Sequence, residues 1–528
     1  MSKHVSRSAV RFSIGTLFSR VSGMAREMTM AFVLGTSPAV AAFLVAFRFA
    51  YLLRRLFGEG ALVNGFIPHY EELNARSETS ASFFFRDLLA SLAVILLGLI
   101  GSLELGLLAS VEYLPLQESN VEIMRLIMLS LPGLLFICLS ALHSGFLQCQ
   151  GRFFLTGIAP VAFNLAWIGT LFFYRHEDTA SITVHLAIAL DLAFLFQWVI
   201  LLPATWKKLK HLLSIADLRS FQLFSPEIRR MLTAISLSVI GVSAIQINSF
   251  IDVLFARTAD LEGPAYLTYA IRLQQFPLAL FGIAIATAIF PALSRAAKNN
   301  ELDTVRDLLQ FGLMRSSCLM IPCTIGILLL GAPSINLLFG HGQFTEESTL
   351  RTTLCLWAYG LGLLPSTIVL LFSQAFYAQH DFKTPMYTSL ATILLSTLFN
   401  CLFIFAFSWG ATSVALSTSF TSLINAAILY FLYKKQHGIH FFSIKWRSLG
   451  QLSISTLVAG FACFLISSAM GDDSFIGILL NKTVFFPHTL GIQALQLILP
   501  SVVFALVFVL MSRVLHCQEV LQLLGNKR

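Results

Sequence analysis

Fourteen stretches of this sequence are long and apolar enough to demand lipid as their solvent. They cover residues 8–33, 39–66, 84–109, 122–147, 155–174, 181–204 and 231–256 in the first half. Residues 265–290, 309–338, 352–376, 385–408, 411–433, 449–469 and 489–512 complete the set. A helix needs about 20 mostly apolar residues to cross the hydrocarbon layer of a bilayer. Inside that layer every backbone N–H and C=O must find its partner within the protein, which leaves helices as the natural form for runs of this length. Charged residues make up only 12% of the chain, about half the share usual in a soluble domain. The expected fold class is therefore an all-α integral membrane protein of about fourteen helices.

The first stretch is expected to stay as a signal anchor. Lys3 and Arg7 resemble the charged leader of an export signal, but Arg11, Arg20 and Arg26 interrupt the apolar run and no small-x-small cleavage site follows. The eight cysteines lie mostly inside apolar segments and form no CxxC pair, so they read as small buried hydrophobes and not as metal ligands.

Loop charge orients the chain. Loops after even-numbered segments carry Arg76, Arg152, Lys207, Lys208, Lys210, Arg229, Arg230, Arg295, Lys298 and Lys383 among others. Loops after odd-numbered segments hold Glu112, Glu118, Asp178, Asp260, Glu346 and Asp473 instead. The positive-inside rule places both termini in the cytoplasm. It also accounts for the net charge of +8, and with no basic patch interleaved with aromatics, nucleic-acid binding is not expected.

The chain resembles itself. Ala46-Phe-Arg48 is followed by Phe57-Gly58 and by Phe66-Ile-Pro68; Ala270-Ile-Arg272 is followed by Phe281-Gly282 and by Ile289-Phe-Pro291. The two sets sit in segments two and eight, which implies a six-segment repeat. The expected organisation is a six-helix lobe over 1–205, a basic cytoplasmic linker over 206–230, a second six-helix lobe over 231–434, and two further helices with the tail over 435–528. The lobes would be pseudo-symmetric around a central cavity.

Charges inside spanning segments are costly, about 2.5 to 3.5 kcal/mol for an arginine near a helix centre, and persist where they face a partner or a wet cavity. Here Arg20, Arg26 and Glu27 fall in segment one and Arg48, Arg54, Arg55 and Glu59 in segment two. Arg272 falls in segment eight, with Asp191, Asp252 and Arg315 elsewhere. The arginines of the first two segments outnumber the nearby carboxylates, so an anionic ligand is expected. A guanidinium fork matches phosphate oxygens two at a time and stays charged in a partly dry site. Arg55 and Glu59 are spaced to pair along a helix. Each charge also has a structural reading: Arg48 and Arg315 as packing or snorkelling residues, Arg86 as an interface residue, Asp191 as a hydrogen-bond partner between helices.

At these residues the chain resembles the MurJ (MviN) family of lipid II flippases, within the multidrug/oligosaccharidyl-lipid/polysaccharide exporter superfamily. Phe18-Ser-Arg20-Val-Ser-Gly23-Met-Ala-Arg26-Glu27 is similar to the family's first-helix signature, and Leu52-Leu-Arg54-Arg55-Leu-Phe57-Gly-Glu59 to its second. Tyr269-Ala-Ile-Arg272-Leu-Gln-Gln-Phe276-Pro277 is similar to helix eight, and Phe339-Gly-His-Gly342-Gln-Phe344-Thr345 and Phe376 to Pro385 to two loops. The resemblance implies translocation of lipid II, an undecaprenyl-diphosphate-linked precursor, from the cytoplasmic to the periplasmic leaflet of the bacterial inner membrane by alternating access. It implies a diphosphate and head-group site at Arg20, Arg26, Arg54 and Arg272, adjoined by Arg55 and Glu59. Some members bind sodium, and Asp252 and Asn400 match two of those positions, while a second acidic position is Ile404 here. Protons and membrane potential are the other energy sources to weigh; no organic cofactor is expected, and the partners would be lipid II, membrane lipids and other cell-wall synthesis proteins. Ala41, Tyr51, Ile271 and Leu370 replace polar residues of the family pattern, which is expected to remove polar partners. The rivals are an exporter of another polyprenyl-diphosphate-linked oligosaccharide and a membrane enzyme acting on such lipids. The enzyme would need clustered carboxylates or a nucleophile with its base, and none is evident.

Overall fold

In a computed structural model the protein is described over residues 2–58, 61–212, 214, 217, 221–437, 446–480, 484 and 486–523. It is all helix, with no strand among the described residues. The first helices are α1 (Ser2–Leu34), α2 (Pro38–Phe57), α3 (Ala61–Arg76), α4 (Glu78–Tyr113), α5 (Glu118–Ser130) and α6 (Gly133–Cys149). Then come α7 (Phe153–Tyr174), α8 (Thr179–Val199), α9 (Leu202–Leu209) and α10 (Pro226–Ala259). The second half holds α11 (Gly263–Pro277), α12 (Ala284–Lys298), α13 (Leu302–Phe339), α14 (Glu346–Leu361), α15 (Leu363–Ala378) and α16 (Lys383–Cys401). It ends with α17 (Thr412–His437), α18 (Trp446–Ala469), α19 (Ser474–Leu479), α20 (Leu490–Val514) and α21 (Gln518–Leu523). Among the described residues nine helical stretches are long and apolar enough to span a membrane, or eleven if two bent pairs each count as one. The fourteen expected segments exceed that set by α1, α2 with α3, and α10; the first two carry the densest arginine.

Helix starts follow local chemistry. Side chains of Ser37, Ser77, Asp178 and Thr345 each accept from a backbone N–H three residues on, satisfying donors that the first turn leaves without a carbonyl. The Ser181 amide and hydroxyl hold the Asp178 carboxyl below the usual carboxylate range.

The chain forms two compact units, Met1–Val253 and Leu254–Arg528. In the first, α1 lies along α7, α7 along α8, and α8 meets α5 and α6. Helix α2 packs on α5 and α8, and α3 and α4 pair with each other and with α6. An aromatic stack of Phe66, Tyr70, Phe84, Phe85 and Phe146 fills the space among α3, α4 and α6. In the second unit α13 is the hub, contacted by α12, α14 and α15 and also by α18 and α20. Helices α18 and α20 thus dock on α13, with Cys318, Leu452 and Cys517 buried at the joint.

Three segments expected to be continuous are broken. Segment two ends α2 at Gly58, where a Cβ would come within 2.8 Å of Cys138 Sγ, so close approach to α6 requires glycine. Segment ten bends by 41° between α14 and α15, where the Ser419 hydroxyl donates to the Ala358 carbonyl at 2.6 Å. Segment four bends by 44° between α5 and α6, beside Pro132, which has no N–H to give. There Asp191 of α8 accepts from the Gly133 N–H at 2.7 Å, so this intramembrane carboxylate closes the start of α6. Segment eight stays continuous but passes through a π-helical stretch, Leu278–Ile283, directly after Pro277; the missing N–H and the ring displace the hydrogen-bond register there.

Replacing Asp191 by Ala leaves the Gly133 N–H without that acceptor, at a cost of about 1–3 kcal/mol. The thermal midpoint of the detergent-solubilised protein should fall in Asp191→Ala and fall less in Asp191→Asn, which keeps an acceptor oxygen. Equal midpoints for Asp191→Ala and the unmodified protein would remove the capping role.

Candidate functional site

Five arginines, a tyrosine and an asparagine carry the polar chemistry at the expected positions. On α1, Ser19, Ser22 and Arg26 follow an i, i+3, i+7 spacing that puts them on one helix face, and α7 lies against that face. Asn164 of α7 donates to the Ser19 carbonyl at 3.3 Å and to the Ser22 hydroxyl at 2.9 Å. Its side-chain oxygen accepts from Arg26 Nη1 at 3.1 Å. Arg26 Nη2 reaches the Glu27 carboxylate at 2.5 Å, and the guanidinium lies 4.8 Å from the Trp167 ring centre and 5.5 Å from that of Phe163. Trp167 is itself wedged against Phe43 and Phe47 of α2.

Arg26 is therefore largely buried, its side chain 12% exposed, and is held by a carboxylate, an amide and two aromatic rings. A cation over an aromatic face gains more when water is removed, and the adjacent carboxylate offsets its desolvation. The sequence pattern alone gave Arg26 a cavity-facing position; its contacts make it a packing residue of the α1–α7 joint as well. Arg20, on the same helix, is exposed.

Arg54 and Arg55 occupy the last turn of α2, where cations favourably meet the negative end of the helix dipole. Both guanidinium groups lie near the ring of Tyr51, at 5.3 and 5.5 Å from its centre. Arg55 also donates from Nε and Nη2 to the Tyr51 hydroxyl at 3.2 and 3.0 Å. Tyr51, four residues before Arg55, takes one edge of its guanidinium; Glu59, the partner expected four residues after it, lies outside the described residues. Tyr51 was expected to remove a polar partner from the family pattern, and it supplies one.

Arg272 is half-buried on α11 in the second unit. One turn earlier, Tyr269 is fully buried against Phe339 and Phe344, so the Phe339–Thr345 loop anchors this helix. The other signature loop is also structural: Asp381 accepts from the backbone N–H groups of Lys383 and Thr384 and caps α16.

Asp252, buried on α10, accepts from Asn248 at 3.3 Å. Asn400 is buried on α16 in the second unit, and Ile404 is buried one turn further on, in the π-helical stretch Leu402–Ala406. Among the described residues no three His, Cys, Asp or Glu side chains converge as metal ligands. A cation held by Asp252 would thus need amide or carbonyl oxygens. Arg315 proves to serve the C-terminus, donating to the Glu519 carbonyl at 2.8 Å and to Gln522 at 3.0 Å. Asn164 and Trp167 escaped the sequence reading; an amide and an indole three residues apart in an apolar run were the available signal.

The model of the family described as "Lipid II flippase MurJ" matches residues 30–485. The chain belongs to the MurJ family. A probable lipid II flippase MurJ of Chlamydia trachomatis is 32% identical over 86% of this chain and 83% of its own length. The lipid II flippase MurJ of Burkholderia cenocepacia is 28% identical, over 83% of this chain and 86% of its own length. Among solved structures, a lipid II flippase MurJ in an inward closed conformation superposes with a TM-score of 0.73 at 23% identity, covering 96% of this chain and 99% of that one. An inward-facing multidrug-resistance MATE transporter of the MOP superfamily has a TM-score of 0.66 at 16% identity, covering 82% and 98%. The matched MurJ stretch includes Arg54, Arg55 and Arg272, while Arg20 and Arg26 precede its first residue.

These contacts separate the two α1 arginines. Arg26→Ala should lower folded yield and thermal midpoint, because it leaves Glu27 largely buried without that partner, whereas Arg20→Ala should leave both near normal. Size-exclusion profiles of the two purified variants read the difference, and matching profiles would show that Arg26 carries no packing role.

Proposed function

We propose that this protein translocates lipid II across the bacterial inner membrane, from the cytoplasmic to the periplasmic leaflet, without making or breaking a bond. Membership of the MurJ family supports the substrate. The observation that carries the mechanism is the set of guanidinium groups held at apolar segments: Arg26 by Glu27, Asn164 and Trp167, and Arg54 and Arg55 around Tyr51. Side chains fixed before the ligand arrives lose little freedom on binding. They present N–H forks that match a diphosphate.

In this reading Arg20, Arg26, Arg54 and Arg272 engage the diphosphate and Arg55 and Glu59 support them. The polyprenyl tail stays in lipid while the head group moves. The cycle is alternating access, with two six-helix lobes over 1–205 and 231–434 rocking and both termini in the cytoplasm. Asp252 and Asn400 are the residues through which sodium would couple to transport; membrane potential is the alternative drive.

Complementation of a flippase-depleted strain tests the arginine set. Ala at Arg20, Arg54 or Arg272 should abolish growth at normal membrane abundance. Lys should restore it only partly, since a hydrogen bond to a charged group contributes about 1.5–3 kcal/mol and an ammonium cannot reproduce the fork. Fully functional Ala variants would overturn the diphosphate mechanism.

A further inference from the structure

The bends in segments four and ten are built on one plan with one chemical difference. Each falls at a glycine, Gly133 in the first unit and Gly362 in the second. A Cβ at Gly133 would come within 2.5 Å of Asp191 Oδ1, and one at Gly362 within 2.6 Å of Ser419 Oγ. The two partners sit in segments six and twelve, so the glycines and their partners both follow the six-segment repeat. The far ends of the bent segments agree as well. Helices α6 and α15 each stop at a glutamine followed by a residue of positive φ, Gly151 at 72° and His380 at 61°.

The difference lies in the partner. The Ser419 hydroxyl stays neutral, whereas Asp191 has two protonation states. Its Oδ1 accepts from the Gly133 N–H, and among the described residues no donor reaches its Oδ2 and no basic side chain pairs with it. Pro132 beside it has no N–H to give to the carbonyl of Met128, four residues back. An ionised Asp191 can only accept, so it serves the α6 side of the break. A protonated Asp191 is also a donor, and the Met128 carbonyl is the acceptor that the break leaves on the α5 side.

Water has a route to this carboxyl. A cavity of about 780 Å³ lies between the first turns of α5 and α8, with Glu118, Glu122, Arg125, Ser181 and His185 in its wall. Leu129 is its furthest residue along α5, four residues or about 6 Å before Gly133. His185 is its furthest along α8, six residues or about 9 Å before Asp191. Asp191 itself is half-buried and not sealed. The second bend adjoins a smaller cavity, about 410 Å³, whose walls beside Ser419 include Ile321, Ile325, Leu364 and Phe420 and hold no titratable group.

The titratable groups around Asp191 come from several helices. Glu104 of α4 is near enough to act on its charge. Among the helices packed on α8, α5 brings the three charges of the cavity wall, and α6 brings Cys138 and His143. Helix α7 has only Tyr174, in its last turn. Helix α2 has Arg48, Tyr51, Arg54 and Arg55, and α9 has Lys207 and Lys208 at the other end of the span.

We propose that Asp191 is a proton-binding site, filled and emptied through the α5–α8 cavity, whose protonation state sets how firmly the α5–α6 bend is held. Ionised, it holds the Gly133 N–H by a charge-assisted bond and fixes the bend. Protonated, it accepts more weakly from Gly133 and donates to the Met128 carbonyl, which loosens the start of α6 and ties α8 to the end of α5. The carboxylate takes one proton from water in the cavity and returns it there. That cavity opens on the side where α5 and α8 begin, which loop charge assigns to the periplasm. The site is independent of which lipid the protein carries, so it stands or falls apart from the diphosphate reading.

The test compares full-length protein in nanodiscs, without lipid II, at about pH 5 and about pH 9, a range that brackets carboxyl groups within proteins. Hydrogen exchange at the Gly133 amide, corrected for the intrinsic effect of pH, should be about tenfold less protected at the lower pH, because a charged acceptor binds more strongly than a neutral one. The Gly362 amide, at the bend whose partner does not titrate, should show no change. Infrared difference spectra should show a protonated-carboxyl stretch gained at low pH in the unmodified protein and missing in Asp191→Asn. Gly133 protection in that variant should stay low at both pH values. Leu129→Trp, which fills the cavity floor, should slow the appearance of the band after a pH jump severalfold. Equal pH responses at the two glycines, or a carboxyl band that survives Asp191→Asn, would overturn the proposal, and an unchanged rate in Leu129→Trp would overturn the route. The comparison of glycines is made within the unmodified protein, so it does not depend on how the variants fold.

Discussion

Backbone polar groups have no water to turn to inside a bilayer, and side chains answer that constraint where segments four and ten bend. Where the chain runs straight, the helix closes its own bonds. At these two bends a side chain from elsewhere intervenes: Asp191 closes the start of α6, and Ser419 meets the carbonyl of Ala358 at the α14–α15 bend. After Pro277 the helix widens into a π-helical stretch instead of ending. Kinked helices of this kind can be kept in lipid because each freed group is taken up again.

The same low-polarity setting governs the arginines. A guanidinium placed among apolar helices must be matched or it is strongly disfavoured. Arg26 is matched by Glu27, Asn164 and the Trp167 face, and Arg55 by the Tyr51 hydroxyl. These partners are modest ones: a neighbouring carboxylate, an amide, a phenol and aromatic rings. A diphosphate carries more charge and more acceptor oxygens than any one of them, which is the physical ground for the proposed ligand. Tyr51 is informative here, since its single oxygen accepts from two nitrogens of Arg55, the same edge that would take two phosphate oxygens.

Much of this was legible in the sequence, for a physical reason. Spanning length and apolar composition are local properties, so most helices lie where the apolar runs lie. The breaks were not legible, because they depend on partners far along the chain; Gly133 and Asp191 are 58 residues apart. The arginines stood out because charge in an apolar run is rare. Their surroundings did not, since Arg26 and Asn164 are 138 residues apart. Tyr51 lies within one helical turn of Arg55, a partner that spacing offers as readily as Glu59. Arg315 and Asp381 are charges of a structural kind, serving the C-terminal helix and a helix cap.

The central claim is that the protein recognises its substrate through the diphosphate. Titration of purified protein in nanodiscs with lipid II, and with an analogue carrying one phosphate in place of two, measures that recognition directly. Loss of one phosphate removes at least one charged hydrogen-bonding interaction of about 1.5–3 kcal/mol, so the analogue should bind about tenfold more weakly or worse. Equal affinity for the two lipids would contradict the account.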